Sequence, residues 1–286
     1  MPDSVFPVLR GAALGCALLV AFLLAWPTAA QTTASRFALA AVDDARGRAT
    51  VDVGVDDFVV QEGGAAREVL DVRVADYPIV VVIDNGAAAG GDFDAIRAAV
   101  ARFIERLGPR PIAIVTCGGP PVTIASFEDD RPALLAKLDA IERPASVDGQ
   151  PLRGAAAAGE MIRGTGALFS AIVIATASPV EVAGPAAETF LAPVIDSRAV
   201  VHVIGNARGM GTTGSILRGL AAQAHGEFTA IYSSASYGPA IERIAARLTT
   251  ELLVEYIVPP GSKAQDVRIG VRIPGARVRG LGVAPK

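Results

Sequence analysis

Continuous apolar runs alternate with amphipathic stretches in the middle of the chain. Residues 79–83 read Ile-Val-Val-Val-Ile, which is typical of a strand that is covered on both faces. In residues 93–107, apolar side chains recur every three or four positions, which predicts a helix. The same patterns predict further strands at residues 112–116, 122–126, 171–175, 200–204 and 227–231. They predict further helices at residues 132–141, 154–163, 186–195, 214–224 and 239–248.

This alternation of strands and helices predicts an α/β fold, with a doubly wound, mostly parallel sheet and helices on both faces. One link is an exception, because residues 117–121 are too few to form a crossover helix. The strand at residues 122–126 is therefore predicted to run antiparallel to its neighbour and to lie at an edge of the sheet.

Strand patterns without helices occupy both flanks of this core. Apolar and polar residues alternate over residues 51–55, 253–257 and 267–273, which is the period of a half-buried strand. We predict that the last two runs form a hairpin and that both flanks share one small β module. The predicted parts are a signal peptide at 1–30, an N-terminal β-strand module at 31–76, an α/β domain at 77–251 and a C-terminal β-hairpin and tail at 252–286.

Composition and charge exclude several classes of protein. The chain is 51% hydrophobic and only 19% charged, whereas disordered chains combine low hydrophobicity with high net charge. Its 26 basic and 29 acidic residues give a net charge of -3, so no basic excess is present to bind nucleic acid. With only two histidines, a histidine-rich metal site is excluded.

An apolar run at residues 11–26 precedes the predicted folded part. It is short for a membrane span, and residues 27–30, Pro-Thr-Ala-Ala, supply small residues for signal-peptidase cleavage. The sequence therefore predicts an exported protein, periplasmic or extracellular, with no membrane span after cleavage. The alternative is an uncleaved N-terminal membrane anchor. Cleavage would leave Cys117 as the only cysteine, so no internal disulfide is expected.

Two flanking stretches resemble a known family. Residues 56–63, Asp-Asp-Phe-Val-Val-Gln-Glu-Gly, are similar to the DDFxVxEDG stretch that precedes von Willebrand factor type A (vWA) domains in a family of secreted bacterial proteins, the VWFA-related domain family. The strand around Tyr256, the Pro-Pro-Gly turn after it and the strand at residues 267–273 resemble that family's ending. The resemblance implies a Rossmann-like vWA fold for the α/β domain.

The resemblance also implies a metal-ion-dependent adhesion site (MIDAS), which is degenerate in this chain. The family's first loop, D-x-S-x-S, reads Asp-Asn-Gly-Ala-Ala at residues 84–88, so only the aspartate is retained. No threonine stands at the expected place in residues 148–154, and no carboxylate follows the strand at residues 171–175. We therefore predict that the protein holds no metal and no other cofactor.

Asp84 itself has two interpretations. As a remaining metal ligand it would need help from Asp92, Asp94 or Asp148 to hold Mg²⁺ or Ca²⁺. As a structural residue, which we favour, its carboxylate would accept backbone N–H bonds in the loop ahead of the next helix. Asp92 stands at the predicted N-cap of that helix.

No catalytic constellation is evident, and we predict that the protein is not an enzyme. His202 lies within a predicted strand and is expected to be a core residue whose imidazole is hydrogen-bonded. The glycine-rich residues 205–211 follow a strand but match no phosphate-binding motif.

The predicted function is a non-enzymatic adhesion or scaffold module that binds a protein partner through loops at one edge of the sheet. These loops are residues 84–91, 144–153, 176–184 and 205–214. The residues predicted for the contact surface are Asp84, Asn85, Gly86, Asp148, Gln150, Thr176, Ser178, Asn206, Arg208 and Gly209. A bulky residue at Gly86 or Gly209 should then abolish binding at nearly unchanged thermal stability. The alternative function is a cation-dependent ligand-binding vWA domain with a site rebuilt around Asp84.

Overall fold

The structure is a computed structural model and describes residues 34–144, 146–179, 185–207 and 214–284. The strands are β1 (Ala34–Asp43), β2 (Ala49–Thr50), β3 (Phe58–Glu62), β4 (Ala65–Arg67), β5 (Val69–Val74), β6 (Ile79–Ile83), β7 (Ile112–Thr116), β8 (Val122–Ala125), β9 (Ala171–Thr176), β10 (Val200–Asn206), β11 (Phe228–Ile231), β12 (Glu251–Val258), β13 (Arg268–Val271) and β14 (Arg277–Ala284). The α-helices are α1 (Phe93–Arg106), α2 (Arg131–Asp139), α3 (Pro151–Thr165), α4 (Pro185–Ser197), α5 (Gly214–Gln223) and α6 (Tyr237–Leu248).

The predicted signal peptide, and with it the prediction of export, falls outside the described residues. Across the described ranges, no helix combines the length and the apolar character needed to cross a membrane.

Six strands form the central sheet, in the order β11-β10-β9-β6-β7-β8. All neighbours run parallel except β7 and β8, which are antiparallel. The predicted α/β class and the edge position of β8 are therefore confirmed. The apolar run of β6 is fully buried because β6 lies inside the sheet and helices cover both of its faces.

The helices divide between the two faces of this sheet. Side chains of α1, α2 and α6 pack with one face, where Phe103 and Ile241 are buried. Side chains of α3, α4 and α5 pack with the other face, where Leu152 and Leu217 are buried. The apolar stripe of each helix thus has a place in one of two cores, as the doubly wound arrangement requires.

Strands from both flanks of the chain form the β module. A five-stranded sheet runs β14-β1-β12-β5, with β2 also paired to β1, and a three-stranded sheet runs β13-β3-β4. Phe58 and Val60 of the smaller sheet are buried with Val254 and Tyr256 of the larger one. On its other side the larger sheet contributes Leu39 to the core of the α/β domain, which joins the two parts.

The predicted hairpin at the C-terminal end is wrong. β12 pairs with β1 and β5, whereas β13 pairs with β3 in the other sheet. Both edges of β12 are thus already used, so β13 has no place beside it. β14, which the sequence patterns did not predict, completes the larger sheet by pairing with β1.

The strand predicted at residues 51–55 is also wrong. β2 ends at Thr50, and a 3-10 turn begins at Val55. Only Val53 of the three alternating valines is buried. The backbone N–H of Gly54 donates to the Asp57 carboxylate at 2.9 Å, so the chain turns here instead of pairing with a neighbouring strand.

His202 contributes an imidazole to the interior of the α/β domain. It is fully buried in β10 beside Val173 of β9, and neither ring nitrogen has a hydrogen-bond partner among the described residues. The prediction of a hydrogen-bonded imidazole is therefore wrong. Burial lowers the pKa of His202 to about 3, and the positive charge of Arg247 contributes in the same direction.

Acidification is expected to destabilise the protein through His202. The folded-state pKa lies below the unfolded value of about 6.5, so between the two pKa values the unfolded state takes up a proton that the folded state excludes. Lowering the pH from 7 to about 4.5 should cost about 3 kcal/mol more in the wild type than in His202→Leu. Urea unfolding at both pH values measures this difference. His225→Asn is the control, since His225 is exposed; equal pH dependence in wild type and His202→Leu would contradict the prediction.

Candidate functional site

The loops that follow the parallel strands meet at the C-terminal edge of the six-stranded sheet, where open α/β sheets place their ligand sites. Asp84 directly follows β6, and residues 177–179 directly follow β9, its neighbour in the sheet. Asp84 is completely buried. This aspartate, the one residue retained from the expected MIDAS loop, therefore lies in the middle of the edge and below its surface.

Both carboxylate oxygens of Asp84 accept hydrogen bonds from protein groups. Oδ1 accepts from the backbone N–H of Gly86 at 2.9 Å. Oδ2 accepts from the Thr176 hydroxyl at 2.9 Å and from the backbone N–H groups of Ala177 at 3.0 Å and Ser178 at 2.7 Å. The carboxylate thus ties the loop after β9 to the loop after β6.

A third segment, residues 147–150, lies across these two loops. The Val147 carbonyl accepts from the backbone N–H of Ala87 at 2.7 Å, and the Asp148 carbonyl accepts from that of Gly119 at 3.0 Å. The backbone N–H of Gln150 donates to the Cys117 carbonyl at 2.6 Å. The segment is therefore held from both sides, by the loop after β6 and by the loop after β7.

Two glycines allow this close packing. A Cβ at Gly86 would lie 2.7 Å from the Cα of Gly149. A Cβ at Gly149 would lie 2.8 Å from the Cβ of Ser178 and would overlap Asp84 Oδ1. Since carbon atoms do not approach so closely, a bulky residue at Gly86 would disrupt the fold. The expectation that such a change leaves thermal stability nearly intact is therefore wrong.

Several residues predicted for the contact surface are buried and cannot reach a partner. These are Asp84, Asn85, Gly86, Thr176 and Ser178. Their burial follows from the three loops, which bond to one another instead of facing solvent. Asp148 is exposed, and Gln150 and Asn206 are partly exposed. Arg208 and Gly209 lie outside the described residues.

Asp92 forms a second junction at the same edge. Its carboxylate accepts from Asn206 Nδ2 at 2.5 Å and from the hydroxyl of Ser234. It thereby links the start of α1 to the end of β10 and to the loop after β11. Asp92 holds the predicted N-cap position of α1, but its side chain makes no capping bond to the first turn, because the carboxylate is used between loops.

Two of the proposed helpers of a rebuilt metal site have other partners. Asp92 is engaged with Asn206 and Ser234, while Asp94 is exposed and pairs with Arg97 at 3.2 Å. Within the part of the chain that the structure describes, no group of three or more His, Cys, Asp or Glu side chains could hold a metal ion.

Two tyrosines near this edge are residues that the sequence analysis missed. Tyr237 is buried at the start of α6, and its hydroxyl donates to the Thr176 carbonyl at 2.9 Å. Burial raises the pKa of Tyr237, and the carboxylates of Asp92 and Asp84 raise it further, so the hydroxyl remains a donor. Tyr232 directly follows β11 and is 67% exposed. Its position after a strand of the parallel sheet could have identified it, since such loops share one edge.

Comparisons with protein-family models and with curated proteins give no match for this sequence. Solved structures do match. The von Willebrand factor type A protein from Catenulispora acidiphila is 13% identical, with a TM-score of 0.53, over 89% of this chain and 74% of that chain.

Proximal thread matrix protein 1 from the mussel byssus also matches this chain. Its form with a zinc-occupied MIDAS motif is 13% identical, with a TM-score of 0.53, over 66% of this chain and 49% of that chain. A second crystal form is 11% identical, with a TM-score of 0.51, over 62% and 48%. This chain thus spans about half the length of the mussel protein. At such identities the matches show the fold, and the chain contains a domain with the von Willebrand factor type A fold.

Proposed function

We propose that the protein is an exported, non-enzymatic module that binds a protein partner without a bound cation. The observation that carries this proposal is the packing of Gly149 against Asp84 Oδ1 and Ser178, where a single methyl group would already overlap. A hydrated divalent cation needs more space and about six oxygen ligands. The residues around Asp84 therefore do not fit a MIDAS cation.

The bonds around Asp84 support a structural role for this carboxylate. Four donors surround its two oxygens, which satisfies the buried charge without a metal. The loops at the edge are thereby held in one arrangement, and a preorganised surface loses little entropy when a partner binds.

The accessible side chains at this edge suit protein contact. Tyr232 is exposed beside the Asp92 junction, and Asp148 is exposed on the segment that covers Asp84. Tyrosine offers a large, rigid contact area and is enriched among the residues that dominate binding energy. We place Tyr232 at the centre of the contact surface for this reason.

A catalytic function has no support from the described histidines and cysteine. His202 is buried without a hydrogen-bond partner for either nitrogen among the described residues, and Cys117 is buried as well. A nucleophile needs a base within hydrogen-bond reach, and the buried His202 imidazole has no partner among the described residues for which it could act as that base.

Capture of exported proteins from the producing cells, with the full chain as bait, tests the proposal. We expect the same partner in EDTA as in millimolar Mg²⁺. Tyr232→Ser should weaken binding about tenfold or more, the effect of losing one dominant aromatic contact. Leu168→Ser is the matched control, since Leu168 is an exposed apolar residue just before β9, at the opposite edge of the sheet.

Two outcomes would contradict the proposal. Loss of capture in EDTA, restored by Mg²⁺ or Ca²⁺, would establish the cation-dependent alternative; melting temperatures would then rise with cation, by the several degrees that correspond to about 2.7 kcal/mol at a hundredfold excess over Kd. Weaker capture by Leu168→Ser but not by Tyr232→Ser would move the contact surface to the other end of the domain.

A further inference from the structure

β5 is an edge strand of the five-stranded sheet. It pairs with β12 on one side, and among the described residues no strand pairs with its other side. Leu70 and Val74 on β5 are 45% and 43% exposed. An accessible edge strand with apolar side chains is a ready template for another strand, and proteins usually cover or disrupt such edges.

On β5, every second residue directs its backbone N–H and C=O groups away from β12, to the unpaired side of the strand. The N–H of Ala75 donates to the Glu251 carbonyl at 2.9 Å. In an antiparallel ladder, successive residues direct their backbone groups alternately toward the paired strand and away from it. Asp71 and Arg73 therefore direct their backbone groups to β12, while Val72 and Val74 direct theirs outward. The register irregularity of the ladder lies before Asp71, so residues 71–74 form a regular edge.

The sequence of β5 is complementary to itself in one register. With Val72 opposite Val72 of a second, antiparallel copy, Asp71 lies opposite Arg73 within the regular edge of residues 71–74. Opposite charges and apolar pairs across strands are both stabilising. Moving the centre of the pairing to Asp71 or to Arg73 would place like charges opposite each other. The register centred on Val72 is therefore favoured over these two neighbouring registers.

We propose that β5 pairs with β5 of a second copy of this chain, forming a two-fold dimer with one continuous sheet. The contact is isologous, so each residue pair occurs twice. Within one chain Asp71 and Arg73 already pair at 2.7 Å, but both are about half exposed, and such a surface pair contributes little. Exchanging it for the intermolecular pairs therefore costs little. This interface is separate from the contact surface at the C-terminal edge of the six-stranded sheet.

Sedimentation equilibrium of the full chain tests the dimer with charge reversals. In Asp71→Arg or Arg73→Asp alone, like charges face each other twice, and the dimer Kd should rise about tenfold or more. An equimolar mixture of the two variants should form a heterodimer about as strong as the wild-type dimer, because every Arg then faces an Asp. Arg268→Asp is the control, since Arg268 forms an exposed pair with Asp266 at the same spacing.

Several results would overturn the proposal. A wild type that stays monomeric up to several hundred micromolar excludes the dimer. Reversals that leave the dimer Kd unchanged place the interface elsewhere. A mixture that associates no better than either variant alone excludes the register centred on Val72. All of the changed side chains are exposed, so unchanged melting temperatures exclude misfolding as the cause of any loss.

Discussion

Asp84→Ala is expected to lower the free energy of unfolding by about 3–5 kcal/mol. The substitution removes the acceptor of the Thr176 hydroxyl and of three backbone N–H groups. A buried donor that loses its acceptor costs about 1–3 kcal/mol, and the four donors lie together. Urea unfolding in EDTA measures the loss, and Asp148→Ala, at an exposed neighbouring position, should change stability by less than about 0.5 kcal/mol.

The sign of this effect separates the two roles of Asp84. In an open cation site without its cation, a buried carboxylate is under-solvated, and its removal would leave stability unchanged or raise it. In the packed arrangement described above, its removal takes the acceptor from the backbone N–H groups of Gly86 and Ala177. It leaves the Thr176 hydroxyl and the Ser178 N–H only the longer bonds between those two residues, at 3.3 and 3.1 Å. Stability in EDTA that is equal to or higher than that of the wild type would therefore refute the structural role.

Gly149→Ala is expected to destabilise the protein by about 2–3 kcal/mol. The added methyl group would lie 2.8 Å from the Ser178 Cβ and would overlap Asp84 Oδ1. Forced overpacking costs about 1–3 kcal/mol, and here the segment is held by bonds to both neighbouring loops. Relief would require the segment to lift from Asp84.

The matched control for Gly149→Ala is Gly164→Ala. Gly164 lies inside α3, and a Cβ there meets no atom within 4 Å. Alanine should stabilise the helix at this position by about 0.5–1 kcal/mol. If thermal unfolding shows the same change for both variants, the space beside Asp84 is open, and the packing that supports cation-independent binding is absent.

These two predictions bear directly on the proposed function. Both measure whether the position of the MIDAS cation is occupied by protein backbone, and neither needs the identity of the partner. A vWA domain in which Asp84 ties the loops after β6 and β9 together, with residues 147–150 bonded across them, would present a permanently assembled surface. Binding would then depend on accessible side chains such as Tyr232 and not on a metal ligand supplied by the partner.

Much of the fold could be predicted from residue patterns. The apolar run of β6 and the apolar stripe of α1 indicate which of their faces are buried. The link between β7 and β8 is too short for a crossover helix, which predicted that β8 is an antiparallel edge strand. The patterns failed for β12 and β13, which look like a hairpin along the chain but pair in different sheets. Period-two alternation indicates a strand with one buried face, but it carries no information about the neighbouring strand.

The candidate site, too, could be predicted in part from the sequence and in part only from the tertiary structure. The sequence by itself determined that Asp84 lacks the hydroxyl ligands expected two and four residues later, because Gly86 and Ala88 have no side-chain oxygen. Only the tertiary structure decided what lies there instead: the backbone of Gly149, brought from a distant loop, and the donors after β9. The physical reason is that missing ligands are a local property of a loop, whereas the occupation of the space they leave depends on contacts between segments far apart in the chain.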